Sequence, residues 1–344
     1  MRFLLAVFIT TLIWGCTQPA KDHLRQHEIL AFGTIINVTI RHHDDQLVDQ
    51  AFKRLETDFL TMHRVWHPWE PGPLTRTNQL LQTGEWFTAS TSILPLLKLS
   101  KTLSLQSLHF FNPAIGKLVG LWGFHRNNPD QPFTPDMQKI RTIQADIPNM
   151  DDVEVDGIRL RGHNPHLQLD LGGIAKGFGI DQAFETLLSM DIRHAIINAG
   201  GDLRAVGQHQ DRPWTIGIQH PRQSTVLASI ETLRDESIFT SGDYHPYYMQ
   251  DSQRRHHIID PRTGEPVSHT IAVTVIHPRA VVADAAATAL LAGGRENLAR
   301  IARSMGVEHV MLMSSDGEIS LTEKMQQRLR LNEQLKLKLD LIAL

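Results

Sequence analysis

Cysteine is nearly absent from this chain of 344 residues: there is one, Cys16. No disulfide can form within the chain, and cysteine-based metal sites and nucleophiles are excluded from the body of the protein. Charge of one sign is also lacking. A formal net charge of −3 offers no basic field for nucleic acid, which is excluded as a partner. There is no GxSxG elbow, no Walker A lysine and no GxGxxG fingerprint, so serine hydrolase, P-loop and Rossmann readings fall away. The 19 histidines are many, yet none stands in HExxH or another zinc spacing. Repeats and low-complexity segments are missing too.

What is present is a globular composition, with 41% hydrophobic and 21% charged residues, enough for one large or two ordinary domains with a real core. Residues 1–16 carry one positive charge and an apolar run that is too short and too abruptly ended for a spanning helix, the pattern of an export signal. Leu12-Ile13-Trp14-Gly15-Cys16 resembles a bacterial lipoprotein signal, which would make Cys16 a lipidated residue and place the protein on the periplasmic side of the cell envelope, anchored to a membrane. Trp14 is untypical of that motif, so simple secretion stays open. A polar tether follows over residues 17–27, the main domain spans 28–322, and 323–344 form a tail.

The organising stretch is residues 169–201. An apolar run ends in Asp170, Gly172-Gly173 follow, and Ile174, Phe178, Phe184, Leu187 and Leu188 recur at helical spacing. A second apolar run, Ala195 to Ile197, ends in Asn198-Ala199-Gly200-Gly201. This reads as strand, tight turn, helix, strand, tight turn. Glycines at a helix start leave room for a ligand near free N–H groups, which favour an anion. Lys176 in that first turn opposes the helix dipole and so faces a negative ligand; the alternative is an ordinary glycine turn with a solvated lysine.

Elsewhere, Glu28 to Ile40 alternates around Gly33-Thr34 as a hairpin, and Leu47, Ala51, Leu55, Phe59 and Met62 mark an amphipathic helix. An aromatic loop holds Trp66 and Trp69, which could stack on a flat ligand or pack beneath the loop. A helix lies between Ser92 and Leu108, and Arg126 to Asp130 form a loop. Strands are expected over Trp214 to Gln219, Val226 to Leu233, Ile271 to Ile276 and His309 to Met313. Thr240 to Tyr244 and His256 to Gly264 read as polar, turn-rich segments. Val282 to Leu291 is an alanine-rich helix closed by Gly293-Gly294, and Glu296 to Met305 is another. Leu335 to Leu341 fits a strand or a helix face equally.

Asp284 and Thr288, four apart, share one face of the alanine-rich helix. A carboxylate and a hydroxyl are hard oxygen ligands that suit Mg²⁺; a buried aspartate bonded to its neighbours is the alternative. His257 stands in a polar, turn-rich segment where a general base would be at home.

Five segments in order, Asp170-Leu171-Gly172-Gly173-Ile174-Ala175-Lys176-Gly177, Asn198 to Asp202, Thr240 to Tyr244, His257 to Gly264 and Ala283 to Thr288, resemble the motifs of the FAD:protein FMN transferases, the ApbE family. The resemblance implies a single α+β domain of the T-fold-like type. It also implies a Mg²⁺-dependent reaction that splits FAD, attaches FMN through a phosphoester to a threonine or serine hydroxyl of a target protein, and releases AMP. It makes Asp284, Thr288 and the Gly173 carbonyl the Mg²⁺ ligands, and it sets Asp170, Lys176 and Ile258 against FAD. Lys176 would also neutralise charge in the reaction. His257 becomes the base, with adjacent His256 a rival and Asp243 the next candidate. Phe32 stands where the family often has methionine, and Trp69, or else Trp66, stands near the family's flavin-stacking tyrosine. Phe110-Phe111-Asn112-Pro113 resembles a phenylalanine-aspartate-proline segment, with Asn112 replacing the acid and leaving a changed FAD contact open. The acceptor implied is a membrane or periplasmic redox subunit. Two other readings share the site: a Mg²⁺-dependent FAD pyrophosphatase, and a non-catalytic lipoprotein that binds and stores FAD.

Overall fold

The computed structural model describes residues 23–126, 133–233, 235–244, 246–250 and 253–344. The export signal, Cys16 and most of the 126–130 loop lie outside them. In chain order the elements are β1 (His23–Ala31), β2 (Thr34–His42), α1 (Asp45–Trp66), α2 (Pro73–Leu81), β3 (Phe87–Thr88), α3 (Leu94–Gln106), α4 (Gly116–Leu121), α5 (Met137–Gln144), β4 (Val153–Asp156), β5 (Arg159–Gly162), α6 (Gly172–Ser189), β6 (Ala195–Ala199), β7 (Asp202–Val206), β8 (Thr215–Gln219), β9 (Val226–Glu231), β10 (Asp235–Gly242), β11 (Tyr247–Gln250), β12 (Gln253–His256), β13 (Thr270–His277), α7 (Ala280–Met305), β14 (His309–Ser314), β15 (Glu318–Thr322), α8 (Glu323–Arg328), β16 (Arg330–Leu331) and β17 (Lys338–Ile342).

Nine strands form one sheet in the order β1-β2-β6-β7-β10-β13-β14-β15-β17, antiparallel except for the parallel β15/β17 pair. This is the α+β architecture that the family resemblance implies. One face is covered by α1, α3, α6 and α7 in the main hydrophobic core. On the other face, β8 and β9 contribute Ile218, Leu227 and Ile230 to a second core, with Met325 of α8. α1 shows how the sequence drives this: Asp44 caps it by accepting from the amides of Gln46 and Leu47, and Val48, Ala51, Phe52, Leu55 and Phe59 form a buried stripe at helical spacing.

Several expectations are corrected. Residues 23–27 are strand rather than tether, because β1 pairs with β2 from His23↔His42 onward. Residues 323–344 are not a tail: Arg328 forms an ion pair with nearly buried Glu236, β16 pairs with β9, and β17 closes the main sheet. Leu335 to Leu341 therefore ends in a strand. The run before Gly172 is extended but makes only an isolated bridge, Ile115↔Gln168, and Gly172-Gly173 begin α6 instead of forming a turn ahead of it. Thr240 to Gly242 finish β10, because the Thr240 hydroxyl finds a cross-strand partner in Thr274 at 2.9 Å. The Gly200-Gly201 turn and the break at Gly294, where φ is 67° and the chain leaves helical geometry, follow the pattern as read.

α6 and α7 pack backbone to backbone. A Cβ on Gly177 would lie 2.5 Å from the Ala280 carbonyl oxygen and 2.7 Å from the Val281 Cα. No rotamer relieves a backbone clash, so it outweighs the helix-propensity gain of about 1 kcal/mol from replacing glycine. Gly177→Ala should lower unfolding stability by about 1–2 kcal/mol net, read as a lower urea midpoint. An unchanged midpoint would show that the helices are free to separate.

Candidate functional site

The close contact of α6 and α7 brings their polar residues together. Asp284, on α7, is 4% exposed, and its Oδ2 accepts the Gly177 amide at 2.8 Å. One turn on, the Thr288 hydroxyl lies 3.1 Å from where a Cβ of Gly173 would stand. Ser241, from the end of β10, approaches Thr288 hydroxyl to hydroxyl at 3.4 Å. Asp284, Thr288 and the Gly173 backbone thus gather at the start of α6.

Lys176 does not wait unpaired for an anion. Its ammonium forms an ion pair with Asp202, which is 5% exposed and also accepts the Thr240 amide at 2.9 Å. Burial works to lower the Lys176 pKa, but the Asp202 and Asp284 carboxylates win and raise it. Burial pushes the Asp284 carboxyl up to about 7 against the pull of Lys176, and Asp202 adds to the rise. When Asp284 is ionised, two buried carboxylates share one half-buried lysine, a net negative charge that a cation would relieve. Among the described residues no cluster of three or more His, Cys, Asp or Glu forms a metal cage. A site of one carboxylate, one hydroxyl and a nearby carbonyl fits Mg²⁺, which keeps few protein ligands and several waters.

His257 is half-buried, and its Nδ1 is enclosed with no hydrogen-bond partner among the described residues. Burial, His256 and Lys176 push its pKa down to about 3. It is therefore neutral at physiological pH and able to accept a proton, although an anionic substrate must raise its basicity. His256 is 1% exposed, with Nε2 2.6 Å from the Val267 carbonyl oxygen, and is a packing residue. Asp243 is corrected as a base candidate: both its oxygens are held by the Arg222 guanidinium.

The aromatic and loop residues divide. Phe110 and Phe111 are buried wall residues, not open stacking surfaces; Phe110 lies under Arg262 at 4.7 Å, and the Phe111 ring is 3.4 Å from the Cβ position of Gly173. Asn112 donates from Nδ2 to the Pro148 carbonyl at 2.8 Å and accepts the Ala114 amide through Oδ1 at 3.1 Å. Its side chain thus joins its own loop to the one that holds Pro148. An aspartate could not make the first bond. Asp170 accepts the Gly172 amide at 2.8 Å, and burial raises its pKa. Ile258 is buried and pairs its carbonyl with the Val267 amide. Trp66 is buried, donates to the Ser92 carbonyl and stacks on Phe32, so both belong to the packing between α1 and α6. Trp69 is half-buried, beside Gly120 and His125, which leaves it the better placed of the two tryptophans for a ligand.

Asp202, Ser241 and Tyr244 join the site without having been singled out. Tyr244 lies across Gly242 and within electrostatic reach of Asp202 and Lys176; burial raises its pKa. All three stood inside the quoted motifs, and the signal for them was polar residues at the ends of apolar runs.

Known proteins resemble this chain along most of its length. The ApbE family model matches residues 32–311. An FAD:protein FMN transferase of Rhodobacter capsulatus is 36% identical over 91% of this chain, which spans 59% of that protein's length. The Vibrio cholerae FAD:protein FMN transferase is 30% identical over 92% of this chain and 94% of its own. Among solved structures, the ApbE protein of Thermotoga maritima superposes with a TM-score of 0.80 at 27% identity, covering 90% of this chain and all of that one. The Pseudomonas stutzeri flavinyl transferase ApbE superposes at 0.78 with 25% identity, covering 91% and 98%.

The depressed His257 predicts a pH dependence. In the unfolded chain a histidine titrates near 6.5, whereas folded His257 stays neutral down to about 3. Between these values the unfolded state binds more protons at this site, so the contribution of His257 to stability falls as pH drops below about 6.5. His256, His269 and His277, also depressed chiefly by burial, act in the same sense. Asp284, whose carboxyl burial holds up near 7, acts in the opposite sense over the same window, so the test is a difference: between pH 7 and 5 the thermal midpoint of the wild type should lose ground to that of His257→Asn, and a constant difference between the two proteins would contradict the buried neutral imidazole.

Proposed function

Since the chain belongs to the ApbE family, with the family model matching residues 32–311, we propose that it transfers the FMN half of FAD to a threonine or serine hydroxyl of a target protein and releases AMP. The observation that carries this reading is the group formed by buried Asp284 and Asp202 with half-buried Lys176 and Thr288 at the start of α6, with His257 in electrostatic reach. The acceptor hydroxyl attacks the FMN phosphorus, the bond to the AMP oxygen breaks, and the hydroxyl proton passes to the His257 imidazole. A hydroxyl is a poor nucleophile at neutral pH, and a positioned base is worth roughly 10² to 10⁴ in rate.

Asp284, Thr288 and the Gly173 carbonyl would hold Mg²⁺, which when bound supplies charge neutralisation at the pyrophosphate. Lys176, kept protonated by Asp202 and Asp284, adds a fixed positive charge beside it. Trp69 and Ile258 would lie against FAD. The sequence of residues 1–16 supports lipid attachment at Cys16 and a periplasmic location, with a membrane or periplasmic redox subunit as acceptor.

Incubation with FAD, Mg²⁺ and a candidate acceptor separates the activities: fluorescent acceptor means transfer, AMP with free FMN means hydrolysis, and unchanged bound FAD means storage. Asp284→Ala should abolish Mg²⁺-dependent turnover in a folded protein; near-normal activity at limiting Mg²⁺ would remove Asp284 from the metal site. His257→Ala should slow transfer by about 10²-fold with FAD affinity nearly unchanged, and His256→Ala by much less. Loss of FAD binding in proportion to activity would make His257 a binding group instead.

A further inference from the structure

Asp243 is one of the most completely occupied carboxylates in the molecule, and its partners come from elements with no evident chemistry. It is 5% exposed. Arg222, in the loop between β8 and β9, grips it with both terminal nitrogens at 2.7 and 2.5 Å. Arg254, on β12, places Nη1 3.9 Å from the same carboxylate, donates to the Asp243 carbonyl at 3.5 Å, and lies 3.9 Å over the Tyr247 ring. Three separate pieces of chain therefore meet at one carboxylate: the β8–β9 loop, the end of β10 and the β11–β12 hairpin.

Both chain directions from Asp243 lead to the site. Two residues earlier is Ser241, whose hydroxyl approaches Thr288. Three residues later the Pro246 carbonyl accepts the His257 amide at 3.3 Å, which closes the base of the hairpin and fixes where His257 leaves it. We infer that Arg222 is a positioning residue: by clamping Asp243 it holds Ser241 at the end of β10 and, through the contact of Asp243 with Arg254 on β12, the strand end from which the imidazole of His257 emerges, in register with the Asp284–Thr288 face. This rests on the transfer reaction proposed above.

A guanidinium–carboxylate fork fixes distance and orientation together, which a single ammonium does not. Arg254 still compensates Asp243 when Arg222 is removed, so the carboxylate is not left as an uncompensated buried charge and the fold survives. What slackens is placement. A displacement of about 1 Å at a reacting group costs up to 10²-fold in rate.

The test uses the full chain with FAD and Mg²⁺. Arg222→Ala should lower kcat about tenfold while the KM for FAD changes less than about twofold, and Arg222→Lys should recover part of the loss. In a His257→Ala background, Arg222→Ala should cost almost nothing further, because the group it positions is gone. Amide hydrogen exchange gives a readout free of turnover: Asp243 and His257 should exchange faster in Arg222→Ala while α7 stays protected. Wild-type kcat with unchanged exchange at Asp243 and His257, or an equal loss with and without His257, would overturn the inference. If the unmutated protein neither transfers FMN nor releases AMP, the functional reading fails separately, and exchange at Asp243 and His257 alone decides whether the clamp exists.

Discussion

The contact on which the rest depends is the seam between α6 and α7, where Gly177 lies against Ala280 and Val281 with no side chain between them. Only at that separation can the Asp284 carboxylate reach across and accept the Gly177 amide. The same closeness sets Thr288 beside Gly173. A larger residue at the seam would disturb packing and site together. The alanines around Asp284 are buried for this reason, and the site's polarity is confined to a few groups in an apolar wall.

That confinement gives the electrostatics its character. In a surface setting Lys176 and Asp202 would be a weak, screened pair. Here Asp202 also caps the Thr240 amide, and Asp284 presses on the same lysine while burial holds its own carboxyl up near 7. The group is short of positive charge and enclosed by backbone that cannot easily move, the condition in which a cation and an anionic substrate can be bound together. His257, driven toward neutrality by burial and by the neighbouring cation, is compatible with proton acceptance only once negative charge arrives.

The loops complete the arrangement without contributing reacting groups. Ser107 accepts the Phe111 amide, and Asn112 bonds to the Ala114 amide and to the Pro148 carbonyl of a separate loop, so that Phe111 can wedge against Gly173. On the opposite side of the site, Asp243 gathers the β10 end and the β11–β12 hairpin. Polar residues that look chemically available in a string of letters are in several cases spent on holding loops.

The amino-acid sequence alone determined the elements with strong periodicity: the α1 stripe, the β1–β2 hairpin, the helix break at Gly294 and the shared face of Asp284 and Thr288, because spacing along a helix or strand sets which side chains lie together. It also carried the five ordered motifs, and through them the family. Only the tertiary structure decided which polar groups are free. That Lys176 is paired with Asp202, that Asp243 is clamped by Arg222 and that Asn112 bonds to Pro148 are contacts between residues 21 to 36 positions apart, which no local pattern encodes. Residues 323–344 found their place for the same reason: an alternating leucine run becomes a strand only when an edge such as β15 is there to receive it.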